Sequence, residues 1–120
     1  MSYDELCKNA LELDPQIRFT GVLNGEGKLL YDTYKEEVDK LLSPEEVRMS
    51  VHYSLQRREN VSNLAYKIGN EKSSITEYEK VTLICIPLNE KEVFLVSTEP
   101  HADYFEIINK TSSLMKNYSV

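Results

Sequence analysis

Two cysteines, two histidines and a run of carboxylates are the side chains here from which chemistry could be assembled. Cys7, His52, Cys85 and His101 are the soft and borderline metal donors. No pair of them has Cys-x-x-Cys or His-x-x-x-His spacing, and they fall on four separate predicted elements. The structural reading is two core thiols and a partly exposed histidine on each of two helices. A Cys–His nucleophile meets the same objection, because Cys85 lies on the greasiest predicted strand, where desolvation disfavours a thiolate. Each cysteine sits at an apolar-periodic position, so no disulfide is expected. No serine occupies a Gly-x-Ser-x-Gly turn. Glu36, Glu37, Asp39, Glu45 and Glu46 follow the pattern of a solvated helix face rather than a convergent acid–base pair. We expect no enzyme, no metal and no cofactor.

The stretch TGVLNGEGKLLYD, residues 20–32, holds three of the four glycines. A phosphate-cradling Gly-x-Gly-x-x-Gly needs a third small residue and a following helix. Position 30 is Leu and the next segment reads as a strand, so this is a turn. Asn24-Gly25 is expected to supply the positive φ angles of a tight hairpin.

The chain has 120 residues and a net charge of −6, and the excess is uneven: residues 1–46 carry 11 acids and 5 bases, while 47–120 carry 9 of each. With no basic stripe and no basic–aromatic interleaving, nucleic acid is not an expected partner. The longest apolar runs are about eight residues, too short to span a bilayer, and the N-terminus MSYDELCKNA is acidic where a secretory signal is basic and then apolar. No membrane association and a cytoplasmic location are expected.

The elements follow from periodicity and caps. Ser2 and Glu5 form a capping box ahead of Tyr3, Leu6, Cys7, Ala10 and Leu11, giving a helix over 2–13. Residues 17–24 and 27–32 alternate as strands, and 33–42 reads as a short helix. Ser43-Pro44-Glu45-Glu46 is a second capping box, opening a long helix over 44–68 that Gly69-Asn70 ends. Residues 71–79 form a polar strand whose only aliphatic residue is Ile75; 81–88 and 92–98 are apolar on both alternating faces. A helix over 100–117 carries Tyr104, Phe105, Ile108 and Met115 toward the core.

A strand apolar on both sides must lie between two layers, whereas polar strands belong at borders. The fold class is therefore α/β of the α+β type: one domain, 1–120, with a five-stranded antiparallel sheet in the order 2-1-5-4-3. The long helix crosses one face alone, and the N- and C-terminal helices share the other.

This element order over 2–117, with FTGVLNGEGKLLYD as the hairpin, resembles the roadblock / dynein light-chain family, of roadblock/profilin-like fold. Its members are small regulatory proteins often associated with small GTPases. The blocks LCKNALELDPQIRFTGVLNGEGKLL, EKVTLICIPL and FLVSTEP are also similar to short uncharacterised proteins of ammonia-oxidising archaea. The roadblock resemblance implies a homodimer in which third-strand edges pair into a continuous sheet and long helices lie side by side. On this chain the implied contacts are Met49, Tyr53, Gln56, Arg57, Ile75 and Tyr78, although strand 71–79 is polar for an obligate interface. Tyr53, Tyr66 and Tyr78 fit two roles: core packing with a hydroxyl at the rim, or an aromatic patch for a partner. The first is the default, as is a solvated helical turn for Arg57-Arg58. The functional expectation is a non-enzymatic, regulatory protein–protein interaction module. The alternative is a small-ligand sensor binding a metabolite between sheet and long helix.

Overall fold

The computed structural model describes residues 2–36, 38, 41–61 and 64–118; the side chains at 44, 53–55 and 57–61 lie outside that description. Helix α1 (Tyr3–Leu11) is capped by Ser2, whose hydroxyl accepts from the Glu5 amide at 3.2 Å. It buries Leu6, Cys7, Ala10 and Leu11, the stripe expected from their spacing. Each fully buried Leu of this kind stabilises the fold by about 1.5–3 kcal/mol. The Thr20 hydroxyl donates to the Cys7 carbonyl at 2.7 Å, tying the helix to the strand beneath it.

Strands β1 (Ile17–Leu23) and β2 (Leu29–Tyr34) form the first hairpin. The turn is not the tight Asn-Gly form. The Gly27 amide donates to the Asn24 carbonyl at 3.0 Å, the Asn24 side chain accepts from the Glu26 and Lys28 amides, and the positive φ falls on Gly27, at 84°. Asn24 thus acts through its side-chain oxygen, and the loop is the three-residue hairpin closed by a left-handed glycine.

The short helix expected over 33–42 is absent among its described residues. Thr33 and Tyr34 instead continue β2 opposite Thr20 and Phe19, and the Lys35 amide donates to the Arg18 carbonyl at 3.1 Å. β-branched and aromatic residues at 33 and 34 suit a pleated surface, and the Tyr34 ring lies 4.6 Å from that of Phe19.

The second capping box is reciprocal: the Glu46 amide donates to the Ser43 hydroxyl and the Ser43 amide to the Glu46 carboxylate. The long helix it opens is divided. Helix α2 runs Pro44–Val61 and α3 runs Ala65–Ile68, with Leu64 at φ −100°, ψ −3° between helical geometries. Asn60 and Val61, both poor helix formers, mark the end of α2. Strands β3 (Ser74–Glu77), β4 (Thr82–Pro87) and β5 (Val93–Thr98) follow, then helix α4 (Tyr104–Lys116), capped by the Asp103 carboxylate.

The five strands form one antiparallel sheet in the order β2-β1-β5-β4-β3. Every residue of β5 is buried, and two cores flank the sheet. One joins Ile17, Val22, Ile84, Phe94 and Val96 to Leu6, Ala10 and Ile107, beneath α1 and α4. The other joins Phe19, Leu23, Leu83 and Leu95 to Val47 and Val51 of α2. The expected order and layering are both observed. On α4, however, Phe105 is 76% exposed while Ile107 and Thr111 are buried. With Tyr104, Ile108, Leu114 and Met115 packed inward, the stripe is centred about a third of a turn away from Phe105.

Candidate functional site

The side chains with reactive chemistry stay apart. Cys7 is fully buried, and burial pushes its thiol up to about 12. Such a group carries almost no thiolate at neutral pH. Cys85 is half-buried on β4 and borders the opposite core, and the two cysteines form no disulfide. His52 is exposed on α2; His101 is exposed in the β5–α4 connection, with φ at 66° and its amide donating to the Tyr104 hydroxyl at 2.8 Å. Among the described residues no three His, Cys, Asp or Glu side chains gather to hold a metal ion.

A cleft does open where the sensor reading places one, between the sheet and α2. Phe19, Tyr34, Leu42, Val47 and Leu95 supply its apolar walls, with Arg18, Ser50 and Ser97 among the polar lining. The cavity holds about 40 Å³. That is space for a water or two, whereas ligand sites are typically about 300 Å³ or more. Arg18 is moreover committed to the Glu99 carboxylate, and burial, with the Asp32 charge second, pushes the Tyr34 hydroxyl's pKa up. The arrangement fills space rather than presenting convergent polar groups.

The two borders of the sheet differ in a way that bears on association. On β2 the register with β1 slips between Val22 and Leu23, so Leu30 becomes an extra, bulged residue. Asp32 adds a charge to that border, and Tyr3 of α1 meets Tyr31 edge-on at 5.8 Å. Bulges, charge and a covering element are the usual means of blunting a strand edge. At the opposite border β3 pairs with β4 over Ser74–Glu77 without a shift. On and just after it Ile75 and Tyr78 are exposed, and the α2–α3 segment exposes Met49, Leu64, Tyr66 and Ile68.

A family model described as "Family of unknown function (DUF6659)" matches residues 1–117. The chain belongs to DUF6659. No curated protein matches it in sequence. Among solved structures it is similar to the Roadblock/LC7 domain from Streptomyces avermitilis, with TM-score 0.70 and 13% identity over 95% of this chain and 92% of the other. The gliding protein MglB from Thermus thermophilus gives TM-score 0.70 and 12% identity over 96% and 86%. Profilin from Schizosaccharomyces pombe gives 0.60 and 13% over 97% and 95%. At these identities the likeness establishes the fold, roadblock- and profilin-like, and leaves function to the surfaces.

In this DUF6659 chain the six sequence-predicted contact residues divide. Met49 is 65% exposed and Gln56 is exposed, both on α2; the Tyr53 and Arg57 side chains lie outside the described residues. Ile75 and Tyr78 sit on opposite sides of the β3 border. Ile75 pairs with Ile84, which belongs to the core under α1 and α4, whereas Tyr78 faces Val81 of the α2-side core.

Core packing fails as the fate of two tyrosines, since Tyr66 is 81% exposed and Tyr78 about half. Leu64 and Ile68 are not among the predicted contacts, because they extend the apolar stripe of α2 on paper, and Tyr66 enters the sequence reading only as one of three tyrosines open to a partner patch. The signal that could have found them is the interruption of that stripe around Arg58.

Proposed function

We propose that this chain is a non-enzymatic regulatory protein-interaction module: a single roadblock-like domain over 1–120 that acts in the cytoplasm as a homodimer. The β3 borders pair into one continuous sheet, the α2–α3 segments lie side by side, and the two-fold helix surface docks a protein partner. A small GTPase is the partner class to test first. Met49, Tyr53, Gln56, Arg57, Ile75 and Tyr78 are assigned as contacts, joined now by Tyr66 and Ile68.

The observation that carries this reading is the contrast between borders: β2 is blunted, whereas β3 has an unshifted ladder with Ile75 and Tyr78 exposed on and just after it. Size adds a constraint. A stable interface buries about 1,200–2,000 Å², which a four-residue strand cannot supply. The helix segment must contribute most of the area. A ligand sensor is disfavoured by the filled cleft.

Light scattering tests the reading. At micromolar concentration the mass should be about twice the 13.9 kDa of one chain. Replacing Tyr66 and Ile68 together with serine should return it to one. A monomer in the unmodified protein across the concentration range would sink the proposal.

A further inference from the structure

We infer that β3 pairs with its copy about a two-fold axis through Ile75, so that Ile75 is its own partner across the seam. This rests on the homodimer reading and fixes what that reading leaves open, the register.

The derivation begins with backbone alternation. In an antiparallel ladder, successive residues point their N–H and C=O groups alternately to one neighbour and to the other. The Tyr78 amide donates to the Val81 carbonyl at 2.8 Å, and the same register sets Thr76 against Leu83 and Ser74 against Cys85. Residues 74, 76 and 78 therefore direct their backbone groups at β4. Ile75 and Glu77 direct theirs outward. A two-fold antiparallel seam must set outward residues against outward residues, which allows an axis through a residue of β3 but not one between two residues.

The choice among those axes is chemical. An axis through Glu77 puts two carboxylates directly opposite, which is destabilising. An axis through Ser74 opposes only Ser74 to itself within the strand and wastes the rest. An axis through Thr76 sets Ile75 against Glu77 twice, an apolar side chain against a charge.

The axis through Ile75 sets Ile75 against Ile75, and Ser74 against Thr76 twice, a hydroxyl pairing that sheets favour. Glu77 then meets Ser73, whose hydroxyl can donate to the carboxylate. The consequences match the burial pattern. Ile75, 37% exposed in the single chain and adjacent to Ile84, would be covered by its copy on the α1–α4 side. Ser74 and Thr76 fall on the α2 side, beneath the paired helices.

Cross-linking and a charge substitution read the register. Because Ser74 lies opposite Cys85, the cysteines are placed in a Cys85→Ala background. Under the Ile75 axis, residues 74 and 76 of different chains form a non-hydrogen-bonded pair about 4.5 Å apart, within disulfide reach. Ser74→Cys with Thr76→Cys should give a covalent dimer on mild oxidation. Thr76→Cys alone should not, since its own copy stands diagonally at about 7–8 Å.

Ile75→Lys, at an exposed position that folding tolerates, provides the second reading. It should weaken the dimer about tenfold, because lysine then opposes lysine; under the Thr76 axis lysine would oppose Glu77 and tighten it. Cross-linking by Thr76→Cys alone, a dimer in which the cysteine pair does not cross-link, or a tighter Ile75→Lys dimer overturns the register while leaving the homodimer standing. A monomer by light scattering removes both.

Discussion

Gly21→Ala is the sharpest test of how the hairpin border is assembled. Gly21 sits on β1 with Asp32 of β2 on one side and Leu95 of β5 on the other. A Cβ added there would meet Leu29 Cδ1 at 2.9 Å, Phe19 Cζ at 2.9 Å and the Tyr31 carbonyl oxygen at 3.0 Å. The first two are ends of side chains that can turn aside, although Phe19 does so only by disturbing its contact with Tyr34. The third is backbone of the neighbouring strand and cannot yield without opening the ladder. Overpacking of this kind costs about 1–3 kcal/mol. Loss of glycine's freedom in the unfolded chain offsets about 0.4–1 kcal/mol of that. The expected net destabilisation is about 1–2 kcal/mol. For a chain of 120 residues, unfolding entropy near ~2.1 cal/mol/K per residue makes that a fall in Tm of about 4–8 °C. Thermal melts followed by far-UV circular dichroism measure it, and near-UV spectra should show the Phe19–Tyr34 environment change. An unchanged or higher Tm would refute the reasoning, because the hairpin would then have slack that the distances deny.

Three further outcomes follow from single groups. Thr111 is fully buried with a hydroxyl that has no hydrogen-bond partner among the described residues, so Thr111→Val should stabilise the fold by about 1 kcal/mol in urea titration. Ser43→Ala removes the N-cap acceptor of α2 and should cost about 1 kcal/mol, visible in the same titration and as lost protection of the Glu46 and Val47 amides. Because burial raises the Cys7 thiol to about 12 from an ordinary value of 9.0, its stabilisation of the fold is complete below about pH 9 and lost as pH rises toward about 12. At about pH 8 iodoacetamide should therefore modify native Cys85 before Cys7, and equal rates would contradict the burial.

The strand order was legible because it depends on amounts of apolar surface. VTLICIPL and EVFLVST are greasy on both faces and can rest only between layers, and Ser74–Glu77 is polar and can rest only at a border. The caps were legible because Ser2, Ser43 and Glu46 act on neighbours three residues away. What the sequence hid depended on partners distant in the chain. Thr33 and Tyr34 have a local pattern open to helix, and it is their pairing with Thr20 and Phe19 that makes them strand. Leu64 and Ile68 continue a helical stripe, yet the helix breaks before them and they emerge into solvent. The candidate surface was accordingly half visible. Ile75 stood out as one aliphatic residue in a polar strand, whereas the exposure of Tyr66 and Ile68 required the fold.

The contrast between the two borders also limits how the protein can assemble. A sheet whose two borders were equally open would propagate, each dimer offering its outer strands to the next. Here the bulge at Leu30, the charge of Asp32 and the contact of Tyr3 with Tyr31 blunt one border, so the proposed association through β3 would end at two chains. The polarity of β3 follows from the same requirement. A greasy edge strand would invite indiscriminate pairing, whereas in the proposed dimer Ser74, Thr76 and Glu77 would add little by themselves and leave most of the affinity to the helices. On that proposal strand hydrogen bonds would set the register, and the exposed side chains of α2 and α3 would set how tightly and with whom. Removing the bulge by deleting Leu30 should accordingly produce concentration-dependent species larger than a dimer, measurable by sedimentation velocity, while changes confined to α3 should shift the monomer–dimer balance alone.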